Sequence, residues 1–387
     1  MTGRAGFSLL EMLIATVLTL VVAGGVLSLA AKGRATSSAG SAAVDLDQRL
    51  RAVAEALSAD VSSAGSGPLS GIRGQPLGAV VPSILPFAVG HDGDPPGTVR
   101  ADRICVLSAA PRAVAVLLAA PFVPASGMAQ LAASPGCPQG DPACGIRADD
   151  LLLFVDDGGQ ADLFEVQSVA GAAAVVQPRG TMSGRVYSTG AWAVPVSLAC
   201  YSLKAGPPAD GTQMVTGNGG TADMPLVDHV VRFGVELLGD PQPPRMVSAG
   251  LPAARPTYGP RPPDLGVDDP RDEWPPGENC AFLVQGGSQA SRLSVLAGGT
   301  DLVPLPAGIL ADGPWCPDQS APNRVDADLL RVRAVRITIG LEAWLAGARG
   351  ADPRLFAHPG AAVDPARWVP DRQVTFDVVP RALHAGR

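Results

Sequence analysis

The stretch FSLLEMLIATVLTLVVAGGVLSLAA, from Phe7 to Ala31, constrains this chain more than anything else in its 387 residues. Those 25 residues hold one charge, Glu11, and are followed by Lys32 and Arg34. At 1.5 Å per residue a helix of that length reaches ~37 Å, enough to cross a hydrocarbon core of ~30 Å with some tilt. A single membrane-spanning helix is therefore expected. An ordinary secretory signal would carry a small-residue cleavage site after an apolar core of about 7–15 residues. Here the run is longer and the small pair Ala5-Gly6 precedes it. A carboxylate five residues into an apolar run is costly and usually has a task, which singles out Glu11; the plainer alternative is a Glu that snorkels to the interface. Basic residues do not settle the orientation, because Arg4 lies before the run and Lys32 and Arg34 after it.

Helical periodicity continues beyond the apolar run. Leu46, Leu50, Val53, Leu57 and Val61 recur at spacings of four, three, four and four, one face of a helix, until Gly65, Gly67 and Pro68 stop it. A continuous helix from Phe7 to about Ser63 would be ~85 Å long, with a hinge allowed near Gly24-Gly25 or Gly33–Gly40. From Pro68 the period changes to two. Strands are expected at Ile104–Ser108, Ala113–Leu118, Leu151–Val155, Asp162–Val169, Ala173–Gln177, Ala193–Leu203, Val227–Leu237, Leu329–Leu341 and Gln373–Val379. Asp156–Asp162 reads as a hairpin turn. The expected fold class is α+β: a long N-terminal helix, membrane-spanning in its first half, packed on a mostly antiparallel β-sheet head. Residues 239–280 hold eleven Pro in 42 positions and read as an extended insertion.

The order of parts at the start, GRAG then FSLLEMLIA, resembles a type IV prepilin signal. The later segments RLRAVAEALSADVSSAGSG, ADDLLLFVDDGGQADLFEVQSVAGAAAVVQ, GRVYSTGAWAVPVSLACYSLKAG, PLVDHVVRFGVELLGD, VRAVRITIGLEAW and VPDRQVTFDVVPRAL resemble the PilW-type minor pilins. The GspJ-type pseudopilins of type II secretion share the same plan. The resemblance implies a type IV pilin-like fold and four parts: a leader at 1–6, a membrane or filament-core helix at 7–31, its amphipathic continuation at 32–65, and a β-rich periplasmic head at 66–387 that contains the 239–280 insertion. It implies cleavage by a prepilin peptidase between Gly6 and Phe7, and N-methylation of Phe7. It implies that Glu11 pairs with the Phe7 amine of a neighbouring subunit and sets axial register. Partners would be other pilins or pseudopilins through the N-terminal helix, and the location the inner membrane, then a pilus or pseudopilus. The function implied is non-enzymatic: a minor pilin of a priming or tip complex. A type II secretion pseudopilin and a surface adhesin that uses the head and insertion are the alternatives.

The rest of the chain argues mainly by exclusion. Charged residues make up 17% of the sequence, the net charge is −7, and no dense Arg or Lys stretch offers a nucleic-acid footprint. No GxSxG, Cys/His or Gly-rich phosphate motif appears, so no catalytic residue is assigned. Six cysteines lie beyond the helix and would be oxidised in a periplasmic head. Cys137 and Cys144 enclose a short loop and Cys280 and Cys316 flank the end of the insertion, which makes these two pairs candidates among fifteen connectivities. No cofactor is expected. Ca²⁺ binding by some pseudopilins draws attention to His91–Gly97 and Val267–Glu273, but neither has EF-hand spacing, and solvated acidic turns are the simpler reading. The five Trp (Trp192, Trp274, Trp315, Trp344, Trp368) are expected to pack.

Overall fold

In the computed structural model α1 runs unbroken from Leu9 to Ser63. The structure describes residues 8–384 except 67–80, 92, 111–113, 135, 157–158, 181, 183, 208–210, 221, 244–273 and 276. The expected leader, Phe7, most of the Pro-rich insertion and Val267–Glu273 thus lie outside the described residues. None of Gly24, Gly25, Gly33 or Gly40 interrupts α1, so the hinge that these glycines allow is not seen. Continuous backbone hydrogen bonds on either side outweigh the ~1 kcal/mol that each Gly costs. The predicted apolar stripe is buried at every position: Leu46, Leu50, Val53, Leu57 and Val61.

The β-rich body begins with β1 (Ile84–Leu85), β2 (Arg103–Ala109), β3 (Val116–Leu117), β4 (Met128–Gln130), β5 (Leu151–Val155) and β6 (Ala161–Ala170). It continues through β7 (Ala173–Pro178), β8 (Trp192–Ala205), β9 (Thr212–Gly217) and β10 (Met224–Val227). These ten strands form one sheet with the central order β1-β2-β8-β5-β6-β7-β4, and every recorded pairing is antiparallel. After them come β11 (Val230–Gly239), β12 (Phe282–Gln285), β13 (Ser288–Ser291), β14 (Val303–Pro304), β15 (Trp315–Cys316), β16 (Val325–Asp326), β17 (Val332–Leu341) and β18 (Arg372–Val378). A second sheet has the order β14-β11-β17-β18, while β12-β13 and β15-β16 are separate hairpins. An N-terminal apolar helix with a mostly antiparallel β-rich body is an α+β arrangement.

Two compact units divide the chain. The first holds residues 1–51 and 340–373. In it Arg372 pairs with Asp47 at 3.4 Å, and buried Glu342 is held by Arg349 at 2.8 Å and by His358 Nδ1 at 2.9 Å. Phe356 meets Trp368 edge to face, whereas Trp344 stays more than half exposed, against the packing expected of it.

The second unit holds residues 52–339 and 374–387. β5 is LLLFV and is buried at all five positions, as a central strand covered on both faces must be. Alternation sends Leu152 and Phe154 into an aromatic cluster with Phe122, Phe164 and Tyr187. Leu153 and its cross-strand partner Leu163 face the other way. The last turns of α1 are fastened here by Tyr201 Oη, which donates to Asp60 Oδ2 at 2.5 Å. Burial first, and then the Asp60 carboxylate, raise the Tyr201 hydroxyl well above its usual range. Gly65, at φ +67°, ends the helix in the left-handed conformation, and its N–H donates to Leu107 O.

Two expected strands change at identifiable residues. Val227–Leu237 is split at Asp228-His229, where His229 takes φ +54° and β10 gives way to β11. Leu329–Leu341 begins as a 3₁₀ turn, Ala327–Arg331, because Asp326 accepts the Asp328 N–H and caps it. Among the described residues of Ala113–Leu118, Val116–Leu117 pairs as strand and Leu118 adds a single antiparallel bridge to Leu131. The short strands β4, β12 and β13 and the bridges around β14–β16 have too little alternation to be read from sequence.

Candidate functional site

α1 starts with a reciprocal pair of hydrogen bonds. Ser8 Oγ accepts the Glu11 N–H at 3.1 Å, and Glu11 Oε2 accepts the Ser8 N–H at 3.0 Å. This is a capping box, in which the N-cap side chain and the side chain three residues on satisfy each other's backbone donors. Its signal, Ser8-Leu9-Leu10-Glu11, is plain in the sequence, but attention to the apolar context of Glu11 alone misses it. Glu11 thus has an intrachain partner at the mouth of the helix, and the negative charge sits in the first turn, where the helix dipole favours it.

The segment that follows, Leu9–Ala30, has a mean hydropathy of 2.4, and none of it is buried by the described residues. Its 22 residues span about 33 Å, long and apolar enough to cross a membrane. Its two threonines are satisfied locally: Thr16 Oγ1 donates to Met12 O and Leu13 O, and Thr19 Oγ1 to Ala15 O at 2.7 Å. A hydroxyl that bonds its own helix can sit in hydrocarbon without a further partner. Gly6 and Phe7 lie outside the described residues.

All six cysteines form disulfides. Cys137 joins Cys144 and Cys280 joins Cys316, the two suggested pairs, and Cys105 joins Cys200. The last pair crosses from β2 to β8 at directly opposed positions, a relation that depends on register and is invisible in the spacing. Cys280–Cys316 sits in a small core with Ala281, Phe282, Leu293 and Ala327.

In the first acidic segment, Asp94 accepts the Ala88 N–H at 2.7 Å and pairs with Arg103 and Arg100, so it organises its own loop. A different grouping, Asp312, Asp326 and Asp328, brings carboxylate oxygens within 4.8 Å of one another, and these are the residues that could face a cation. The positive charge beside them is Arg331, fully buried, with Nε 2.6 Å from Asp328 Oδ1. Burial raises Asp326 to about 6 and Asp328 to about 7; Asp312 adds to both, and Arg331 pulls Asp328 the other way.

No known protein family, no curated protein and no solved structure matches this chain.

Proposed function

We propose that the chain is a minor pilin, processed between Gly6 and Phe7, that enters a type IV pilus priming or tip complex through α1. One observation carries the reading: a lone acid, Glu11, stands in the first turn of α1, at the head of a 22-residue apolar segment that the described residues leave unburied. In water that surface would be a severe liability, since each large apolar side chain left exposed forgoes about 1.5–3 kcal/mol of burial. A membrane before assembly and neighbouring helices after it both provide the missing apolar surroundings. In such surroundings an ionised carboxylate calls for a cation, and the amine of a neighbour's Phe7 supplies one. The β-rich body would then choose partners.

The test separates the two tasks of Glu11. Glu11→Gln keeps the capping box, because a glutamine side chain accepts the Ser8 N–H equally well, yet it removes the charge. Sheared pili should contain the wild-type chain beginning at methylated Phe7, by mass spectrometry of its N-terminal peptide. The Glu11→Gln chain should insert in the membrane and be processed but be missing from the pili. Normal incorporation of the variant, or an N-terminus elsewhere than Phe7, overturns the proposal.

A further inference from the structure

The face of the main sheet opposite the aromatic cluster encloses a cavity of about 490 Å³. That volume lies within the ~300–1,000 Å³ usual for small-molecule sites. Its apolar bed includes Phe87, Leu107, Leu153, Leu163 and Leu198, drawn from the segment before β2 and from β2, β5, β6 and β8. Backbone packs tightly at its edge: Gly180 has φ +86°, and a Cβ there would stand 2.7 Å from Gly90 O.

The polar lining is unbalanced in a particular way. Asp94 is compensated by Arg103 and Arg100, and Arg179 is compensated by Glu165 at 2.8 Å. Arg324 has no carboxylate partner among the described residues; its guanidinium lies 5.2 Å from the centre of the Trp315 ring, and Nη1 reaches Ala321 O only at 3.4 Å.

We infer that this cavity binds a medium-chain carboxylate. The carboxylate accepts from the Arg324 guanidinium and supplies the negative charge that its described neighbours do not. The alkyl body lies on the leucine and phenylalanine bed. This site is independent of α1 and of the assembly proposed above.

The test is isothermal titration of the full chain in lipid nanodiscs with octanoate, with empty discs subtracted. Saturable binding of one molecule per chain is expected. The methyl ester, which has no charge, and the Arg324→Gln chain should each bind at least about tenfold more weakly, the loss expected for one charge-assisted hydrogen bond. Leu198→Trp, which fills the cavity and leaves the polar groups in place, should abolish binding. Heat no greater than that of empty discs, equal binding of acid and ester, or wild-type binding by Leu198→Trp would each overturn the inference.

Discussion

Among the described residues Arg331 is the largest side chain buried completely, and replacing it by Met tests how the β-rich body is held together. Its Nε lies 2.6 Å from Asp328 Oδ1, an ion pair in distance though not aligned as a directed hydrogen bond. Nη2 donates to Ser294 O at 2.5 Å and Nη1 approaches Pro241 O at 3.4 Å. One guanidinium therefore ties the turn after β16 to the segments that follow β11 and β13. A methionine of similar length fills the space but leaves a buried carboxylate without its counter-charge and two carbonyls without donors. Breaking a buried pair from one side costs about 3–5 kcal/mol, a large part of the ~5–15 kcal/mol that usually holds a domain. Urea denaturation of the full chain in micelles, followed by tryptophan fluorescence at pH 8, should show that loss. Asp328→Asn alone should also destabilise, since it strands the guanidinium. The double variant should be more stable than the sum of the two single losses predicts, by roughly 1–3 kcal/mol of coupling. A loss below about 1 kcal/mol for Arg331→Met, or strictly additive variants, would refute the argument and leave Arg331 as a space filler.

Two further outcomes follow from the same body of the protein. Asp326 and Asp328 titrate near 6 and 7 when folded, against 3.8 unfolded, so the folded state binds protons more tightly between those values. The stability they contribute is complete below about pH 4 and is lost as pH rises through 6 to 7, amounting to up to about 4 kcal/mol between pH 5 and pH 8. Hydrogen exchange in residues 312–331 should accelerate beyond its intrinsic pH trend over that range, and protection that grows with pH would contradict it. Removal of Cys105–Cys200, which spans 95 residues, should cost more than removal of Cys137–Cys144, which spans 7. The chain-entropy relation gives about 4.7 and about 2.4 kcal/mol, a difference that paired Cys→Ala variants in urea would reveal or deny.

What could be read from the sequence was whatever depends on neighbours along the chain. The stripe Leu46, Leu50, Val53, Leu57, Val61 is a local 3.6-residue repeat, and each of its members is buried. The long strands β2, β5, β6 and β8 announce themselves by apolar runs between turn residues. Register is different in kind. Cys105 opposes Cys200 only because β2 and β8 pair at one offset out of many. The guanidinium of Arg331 meets Ser294 O across 37 positions of sequence, and no periodicity encodes that meeting. The cavity was equally hidden, since its lining comes from segments as far apart in sequence as Phe87, Leu153 and Arg324. Even the local capping box at Ser8 and Glu11 escapes a reading that asks only why an acid sits among apolar residues.

The two tasks assigned to Glu11 are compatible, because a carboxylate has room for both. Ionised, it offers about four acceptor positions on two oxygens, and the Ser8 N–H takes one of them on Oε2. The capping bond would also do part of the work of the proposed assembly. It holds the side chain against the first turn, so less rotamer entropy, up to about 2 kcal/mol for a free glutamate, remains to be lost when a cation arrives. Cleavage between Gly6 and Phe7 would keep Ser8 and Glu11 together in the mature chain and place a new amine one residue before Ser8. Within one chain that amine and the carboxylate would both lie at the helix mouth; between chains, the proposed register pairs one subunit's carboxylate with the amine of the next. The choice between these two pairings is a choice between a solvated mouth and an apolar one, since the same ion pair is worth several times more where the surrounding dielectric is low. The apolar surface of Leu9–Ala30 is what would supply that low dielectric once neighbouring helices close around it.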